Sequence, residues 1–293
     1  MLLDKFILGT AQFGLSYGIN NSNGQIPLDD SISLLNSAFS AGITQLDTAE
    51  AYGNAHEVIG SFHRHYLPIR FNILTKLPNG FEGGINNKIV KYIEQLQVDT
   101  IEGCSFHSFN SYIDTMPLVR DELNNLKKSG KIGKIGVSIY TNKEAEVAIE
   151  DPMIDIIQMP FNLFDNYNLR GTILEKAKRL NTEVHVRSCF LQGLFFMDPE
   201  SDNPIAKALK SELSKIRDIA RKYNLSIQEL ALHYVFGNPM IGKVLIGVDN
   251  WPQLAQNILA LEQQVPQEAL WEIEEIEITN IDLINPTLWR ELT

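Results

Sequence analysis

Four ionisable residues in the N-terminal half of the chain could together move a proton at a carbonyl group: Asp47, Tyr52, Lys76 and His107. A free tyrosine has a pKa of about 10 and is a poor proton donor near neutrality. A nearby ammonium group stabilises the phenolate and lowers that pKa, and a carboxylate paired with the lysine holds it in place. A histidine beside them can orient a substrate oxygen or relay a proton. The set therefore suits general acid–base catalysis at a carbonyl or carbinol, with Tyr52 as the acid.

These four residues end or follow short apolar runs that have the length of β-strands. Similar runs alternate with longer amphipathic segments along the chain, a pattern that predicts parallel strands joined by crossover helices. The eight strand-like runs begin at Phe6, Ile43, Phe71, Thr100, Lys134, Ile154, Glu183 and Lys243.

Eight such units in about 250 residues favour a closed (β/α)8 TIM barrel over an open parallel sheet. The Gly-x-Gly-x-x-Gly fingerprint of open dinucleotide-binding sheets is missing after the first run. Catalytic groups of such barrels lie at the carboxyl ends of the strands, so the four residues are expected to meet there. We expect residues 1–293 to form a single domain, the barrel followed by a C-terminal helix in "PQEALWEIEEIE" and a tail.

Composition and charge restrict the partners of the protein. The chain has 293 residues, of which 44% are hydrophobic, and a net charge of −11. This charge disfavours nucleic acid and anionic membrane surfaces, and no apolar run approaches the roughly 20 residues that cross a bilayer. The N-terminal stretch "MLLDKFILGTAQFG" is predicted to be the first strand and not a signal peptide. Cys104 and Cys189 lie in apolar runs, which predicts buried free thiols in a reducing, cytoplasmic compartment.

The motif "LDTAEAYGN", taken with Lys76, His107 and "LGTAQFG" from Leu8, resembles the aldo/keto reductase family from Phe6 to about Asn257. The resemblance implies hydride transfer between a nicotinamide cofactor, NADP or NAD, and an aldehyde, ketone or alcohol. It implies that Tyr52 is the general acid, that Lys76 and Asp47 tune it, and that His107 positions the carbonyl. A small-molecule substrate and no metal are expected.

The resemblance also implies the positions that bind the cofactor. Some of these match contacts near the nicotinamide, others a loop around the pyrophosphate, and others a segment around the adenosine. The nicotinamide positions are Thr10, Ala11, Asp47, Ser138 and Gln158. The pyrophosphate loop contributes Arg187, Ser188, Cys189, Phe190, Leu191 and Gly193, and the adenosine segment contributes Gly247, Asp249, Gln253 and Asn257.

Several positions depart from the family pattern. Ile139 follows Ser138 where Asn or Arg is usual, and Arg187 stands where an aromatic residue commonly stacks on the nicotinamide. Asp249 replaces a residue that accommodates the 2′-phosphate of NADP. A carboxylate repels a phosphate but accepts hydrogen bonds from a ribose diol, so NAD is expected to serve at least as well as NADP. A lysine such as Lys243 could offset this carboxylate.

Two other functions remain open at the level of sequence. Lys76 could form a Schiff base with a carbonyl substrate, as in a class I aldolase. The barrel could also be a non-catalytic, cofactor-binding regulatory subunit. The likeness of "VRSCFLQGLF" to reductases of bacterial surface sugars favours a sugar-like substrate, and the loop "SFNSYIDT" is expected to be short. The histidines of "HRH" at 63–65 are interpreted as a solvated helix end and not as a zinc site, and monomer is the default oligomeric state.

Overall fold

The computed structural model describes residues 2–17, 24–80 and 84–289. Across these residues eight parallel strands follow one another in chain order around a closed barrel, and β8 pairs with β1. The predicted (β/α)8 fold is therefore confirmed. The strands are β1 Phe6–Gly9, β2 Gln45–Asp47, β3 Asn72–Leu77, β4 Ile101–Phe106, β5 Ile132–Ser138, β6 Ile156–Pro160, β7 Glu183–Arg187 and β8 Lys243–Gly247.

Helices connect successive strands and cover the outside of the barrel. Local sequence explains several of their ends. Thr141 and Ser226 form capping boxes with Glu144 and Glu229, and Gly130, at φ 73°, stands just beyond the end of α5. The helices are α1 Ala11–Gly14, α2 Leu28–Ser40, α3 Ala55–His65, α4 Ile85–Leu96, α5 Phe109–Lys128, α6 Asn142–Glu150, α7 Tyr167–Leu180, α8 Pro204–Ala208, α9 Lys210–Lys222, α10 Ile227–Phe236, α11 Trp251–Glu262 and α12 Gln267–Glu274.

The apolar side chains form two clusters, one outside the strands and one inside them. The larger cluster joins the sheet to the helices and includes Phe6 and Leu8 of β1. The smaller one fills the barrel with Ile7, Leu74 and Ile156. Because successive side chains of a strand point to opposite faces, Ile7 lies inside while its two neighbours lie outside.

The same alternation turns polar side chains into the carboxyl end of the barrel. In β3, Thr75 faces outward and lies within 2.9 Å of Nε2 of His56 in α3. Lys76 must therefore point inward, two residues beyond Leu74 of the inner cluster. In β6, Gln158 likewise lies two residues beyond Ile156. The interior thus changes from apolar to polar toward the end of the barrel where a site was predicted.

Two local predictions are wrong. The stretch "SFNSYIDT" is not a short loop, because Ser108 caps α5 and its hydroxyl accepts a hydrogen bond from Ser111 N at 3.2 Å. The prediction of a solvated helix end at 63–65 holds for Arg64 and His65, which are exposed, but is wrong for His63, which is fully buried. Its Nδ1 lies 2.7 Å from Leu96 O, and its Nε2 accepts from Phe71 N at 3.1 Å. These contacts make His63 a structural residue between α3, α4 and β3.

Cys104 and Cys189 are both free and buried, as predicted. Burial raises the pKa of the Cys104 thiol to about 12, so it is protonated and unreactive at neutral pH. Among the residues that the structure describes, no helix is long and apolar enough to cross a membrane. The same residues contain no grouping of three His, Cys, Asp or Glu side chains that could hold a metal ion.

Candidate active site

An ion pair between Asp47 and Lys76 lies at the centre of the carboxyl end of the barrel. Both residues are 2% exposed, and Lys76 Nζ donates directly to Asp47 Oδ1. Gln158 Nε2 donates to the other carboxylate oxygen at 2.8 Å. The backbone of Asp47 is held as well, because its carbonyl accepts from both N and Oγ1 of Thr10 at 3.0 Å. A buried pair with this many partners is a fixed electrostatic element.

Tyr52 lies in the loop between β2 and α3, beside this ion pair. Lys76 Nζ is 5.6 Å from the centroid of the Tyr52 ring, and the His107 ring meets it edge-on with centroids 5.8 Å apart. The four predicted catalytic residues, Asp47 included, therefore come together. Three different strands and their loops supply them, which is typical of a TIM-barrel active site.

The pKa of Tyr52 is raised, first by burial and then by the carboxylate of Asp47. This is opposite to the lowering expected from a lysine neighbour. The reason is that Asp47 neutralises Lys76, so little net positive charge remains to compensate the cost of burying a phenolate. In the free site Tyr52 is thus a neutral phenol that holds a proton for donation.

The pKa of His107 is lowered to about 4, first by burial and then by the charge of Lys76. At neutral pH the imidazole is therefore uncharged and can hydrogen-bond an oxygen without adding charge. The side chain is only partly exposed, so burial by its neighbours favours the uncharged imidazole.

We expect the stability of the protein to fall between pH 7.5 and pH 5 partly through His107. A histidine whose pKa is depressed on folding stabilises the fold above its unfolded value of about 6.5, and loses that contribution as the pH falls toward 4. Urea denaturation at both pH values should show the wild type losing about 1 to 2 kcal/mol more than His107→Gln. Other histidines cancel in this difference. Equal losses of stability in the two proteins would show that folding does not depress the pKa of His107.

The site opens into a cavity of about 550 Å³ that runs from Tyr52 to the end of β8. Of the predicted residues, Lys76, His107, Ser138, Gln158 and Leu191 do not line this cavity. Lys76 and Gln158 both contact Asp47, which does line the cavity. Ser138 of β5 lies beside Gln158 of β6 in the sheet. The predicted residues on its wall are Thr10, Ala11, Asp47, Tyr52, Arg187, Ser188, Cys189, Phe190, Gly193, Gly247, Asp249, Gln253 and Asn257.

The loop after β7 forms one wall of the cavity in an unusual backbone conformation. Ser188, Leu191 and Gln192 have φ values of 63°, 46° and 53°, and Gly193 follows at 92°. Non-glycine residues seldom adopt positive φ, and clusters of them mark sites whose surroundings impose the geometry. The fully buried side chain of Leu191 anchors the loop. Any contact of Leu191 with a cofactor would therefore come from its backbone.

Asp249 lies at the far end of the cavity with half of its carboxylate unsatisfied. Its backbone N donates to Gln253 Oε1 at 2.8 Å, and Gln253 Nε2 donates to Asp249 Oδ2 at 3.3 Å. The other oxygen, Oδ1, is buried without a hydrogen-bond partner. A buried acceptor in this state is costly until a donor reaches it.

Lys243 does not offset Asp249, contrary to the possibility raised by the sequence. It is the first residue of β8, and its Nζ donates to Asp4 O at 2.9 Å. Asp249 follows the other end of the same strand. Arg187 is the only lysine or arginine among the described residues that line the cavity. A 2′-phosphate near Asp249 would therefore find a carboxylate and no lysine.

The cavity wall also contains residues that sequence reasoning missed. Gln228 in α10 donates through Nε2 to Asn257 Oδ1 at 2.6 Å, and Gln12, Tyr17 and Gln192 line the same space. Gln12 and Tyr17 lie just after the "LGTA" stretch, which was the one available signal for them. Nothing in the spacing of Gln228 marks it, because only the fold brings α10 beside α11.

The fold and its site define a TIM-barrel protein with a cluster of ionisable side chains beside a cavity at the carboxyl end of the barrel. A model of the aldo/keto reductase family matches residues 5–278. The chain therefore belongs to this family of oxidoreductases.

Individual relatives and solved structures are similar over nearly their whole lengths. The oxidoreductase YqkF of Bacillus subtilis (strain 168) is 24% identical over 281 residues, which cover 86% of this chain and 89% of that protein. The L-galactose dehydrogenase of Arabidopsis thaliana is 25% identical over 275 residues, 86% of each. The structure of aldo-keto reductase AKR11C1 from Bacillus halodurans matches with a TM-score of 0.75 at 18% identity, covering 94% of this chain and 93% of that one. This last match supports the fold.

Proposed function

We propose that this protein is an NAD(P)-dependent oxidoreductase that interconverts an aldehyde or ketone and an alcohol, with Tyr52 as general acid and base. The observation that carries the proposal is the meeting of Tyr52 with the Asp47–Lys76 pair and His107 at the mouth of the cavity. A single residue of this set has many uses, whereas the four together suit proton transfer at a carbonyl oxygen.

The residues present fit a nicotinamide dinucleotide. The cavity of about 550 Å³ extends from Tyr52 to Asp249, the carboxylate of Asp249 suits the hydroxyls of a ribose, and Gly247 leaves room for the Gln12 amide, which a β-carbon would approach to 3.0 Å. When bound, the nicotinamide would supply or accept the hydride. The positions proposed to hold it are those predicted from the sequence other than Arg187, with Ser138 and Gln158 behind the wall, and Asp249 and Gln253 at the ribose end.

The side chains of this site would control the proton at the substrate oxygen. In reduction, Tyr52 Oη donates its proton to the carbonyl oxygen as negative charge develops there. The ammonium of Lys76 stabilises the phenolate that remains, and the neutral imidazole of His107 holds the oxygen in line. In oxidation the phenolate takes the proton back from the alcohol. The raised pKa of Tyr52 keeps the proton in place until a substrate needs it.

The class I aldolase alternative is weakened by the ion pair. Lys76 is buried against Asp47, and its amine donates to that carboxylate, so it is not placed as a free nucleophile. Borohydride reduction in the presence of candidate carbonyl substrates should leave the mass of the protein unchanged. A covalent adduct on Lys76 would favour the aldolase.

A sugar-like or other polar carbonyl compound is the proposed substrate class. Gln12, Gln192 and Gln228 contribute amide groups to the cavity wall, which suits hydroxylated molecules. One relative is named for its action on L-galactose. The buried free thiols fit a reducing compartment, so we place the protein in the cytoplasm. Monomer is kept as the default oligomeric state.

The proposal is tested by isotope transfer. The protein is incubated with NADH or NADPH deuterated at C4 and a panel of aldoses and simple aldehydes, and the alcohols are analysed by mass spectrometry. We expect one deuterium on the carbinol carbon for each cofactor oxidised. Cofactor binding without transfer to any member of the panel would favour the regulatory-subunit alternative.

Cofactor preference should depend on Asp249. We expect the wild type to bind NADH at least as tightly as NADPH, and Asp249→Ser to shift the ratio of the two dissociation constants toward NADPH by about 10-fold, or 1.4 kcal/mol. Fluorescence titration with each cofactor measures this ratio. Asp218→Ser removes the same charge from the exposed face of α9 and is expected to leave the ratio unchanged. An equal shift in both variants would mean that net charge, and not the carboxylate at the ribose, sets the preference.

A further inference from the structure

Arg187 is a cation that lines the cavity. It ends β7, where alternation turns its side chain into the mouth of the barrel. Its Nη2 donates to Ile139 O at 3.2 Å and its Nη1 contacts Ser188 Oγ at 3.4 Å. The guanidinium carbon lies 4.2 Å from the centroid of the Tyr140 ring. Within the described residues, Arg187 makes no ion pair.

The carboxylates closest to this end of the barrel already have other partners. Asp47 is paired with Lys76 and bonded to Gln158. Asp165 binds Arg170 through both oxygens, at 2.5 and 2.7 Å. An arginine held inside a protein without a counter-ion is costly, and its planar fork of donors matches a carboxylate. Among the described residues, Asp165 is close enough for its charge to interact with Arg187 but is already bound to Arg170, so Arg187 is free to bind an anion from a ligand.

The direction of the side chain indicates which ligand brings that anion. Ile139 and Tyr140 follow β5, so the guanidinium of Arg187 reaches across β6, away from β8 and Asp249. Its charge is felt at the acid–base centre. Burial and Lys76 are the main reasons for the low pKa of His107, and Arg187 lowers it further. The guanidinium therefore lies on the substrate side of the cavity and not at the ribose end.

We propose that Arg187 binds a carboxylate of the substrate, so that the enzyme prefers carbonyl compounds that carry an acid group, such as sugar acids or semialdehydes. This inference rests on the proposed function. It specifies further that the substrate is negatively charged and that Arg187 determines this specificity. Stacking on Tyr140 and the bond to Ile139 O hold the guanidinium in place, which leaves other N–H groups for the ligand.

The test compares 4-formylbenzoate with 4-formylbenzamide, which have nearly the same size and reactive group but differ in charge. Their dissociation constants are measured by calorimetry in the presence of saturating NAD⁺, and their KM and kcat are measured with NADH. The wild type is expected to bind the carboxylate about 10- to 100-fold more tightly than the amide. Arg187→Met should abolish this preference. Arg187→Lys should retain part of it.

Two controls separate the possible causes. Arg221→Met removes a positive charge from the exposed end of α9 and should leave the preference intact. The affinity of each variant for NADH is measured alongside, and Arg187→Met is expected to leave it nearly unchanged.

These measurements test the role of Arg187 separately from the oxidoreductase activity. Loss of the carboxylate preference in Arg187→Met alone supports the role of Arg187, even if no aldehyde is turned over, in which case the oxidoreductase proposal fails by itself. A wild type without the preference would overturn the role of Arg187, and so would a preference that survives in a folded Arg187→Met. A large loss of NADH affinity with the preference unchanged would assign the guanidinium to the cofactor phosphates.

Discussion

Tyr52→Phe is expected to lower kcat by 10²- to 10⁴-fold while leaving cofactor affinity within about twofold of the wild type. The substitution removes only the phenolic oxygen, so the ring keeps its edge-on contact with His107, whose centroid lies 5.8 Å away. Without the hydroxyl, the proposed proton donor is missing. The raised pKa of Tyr52 means that the wild-type site starts each reduction with the proton in place.

Kinetics with saturating NADH and fluorescence titration measure the two quantities separately. Tyr66→Phe is the matched control, because this tyrosine follows α3 and packs against Phe62, with ring centroids 4.9 Å apart. The control should keep the wild-type kcat. If Tyr52→Phe kept more than a tenth of the activity, another group would have to be the acid. A parallel loss of cofactor binding would assign Tyr52 to the cofactor site.

Lys76→Met is expected to be the most destabilising substitution in the site and also to abolish turnover. It leaves the carboxylate of Asp47 buried without its counter-ion, which costs about 3 to 5 kcal/mol of unfolding free energy. The double variant Asp47→Asn/Lys76→Met removes both charges and should recover most of that stability. It should remain inactive, because no ammonium is left to stabilise the Tyr52 phenolate.

Urea denaturation and steady-state kinetics on the three proteins test this pair. Lys207→Met is the control, because it breaks an exposed pair with Asp202 on the surface, where such pairs contribute little. A double variant as unstable as Lys76→Met would mean that Lys76 supports the fold by packing and not by pairing. Activity in the double variant would remove the lysine from the proton-transfer step.

Much of this structure could be predicted from the order of residues along the chain. Eight apolar runs with amphipathic segments between them leave few alternatives to a barrel. Because side chains alternate along a strand, Lys76 must point into the barrel if Leu74 does. The four residues proposed for acid–base catalysis could be predicted because they end or follow three consecutive strand-like runs.

Other features depend on distances that the sequence does not contain. The pKa of Tyr52 is raised and not lowered, because the Asp47–Lys76 pair is closed and the phenol is buried. Lys243 and Asp249 belong to the same short segment, yet they lie at opposite ends of β8. His63 lies in a polar stretch of sequence, yet its side chain is fully buried and contacts the backbone of Leu96 and Phe71. In each case the outcome depends on which groups the barrel brings into contact.

The most direct test of the central claim is equilibrium titration of the purified protein with NADH and NADPH, followed by protein fluorescence. The proposed function predicts saturable binding of one dinucleotide per chain, with NADH at least as tight as NADPH, and the same affinity in Tyr52→Phe. Failure of both dinucleotides to bind would contradict hydride transfer at this site and leave the buried lysine of a class I aldolase as the function to pursue.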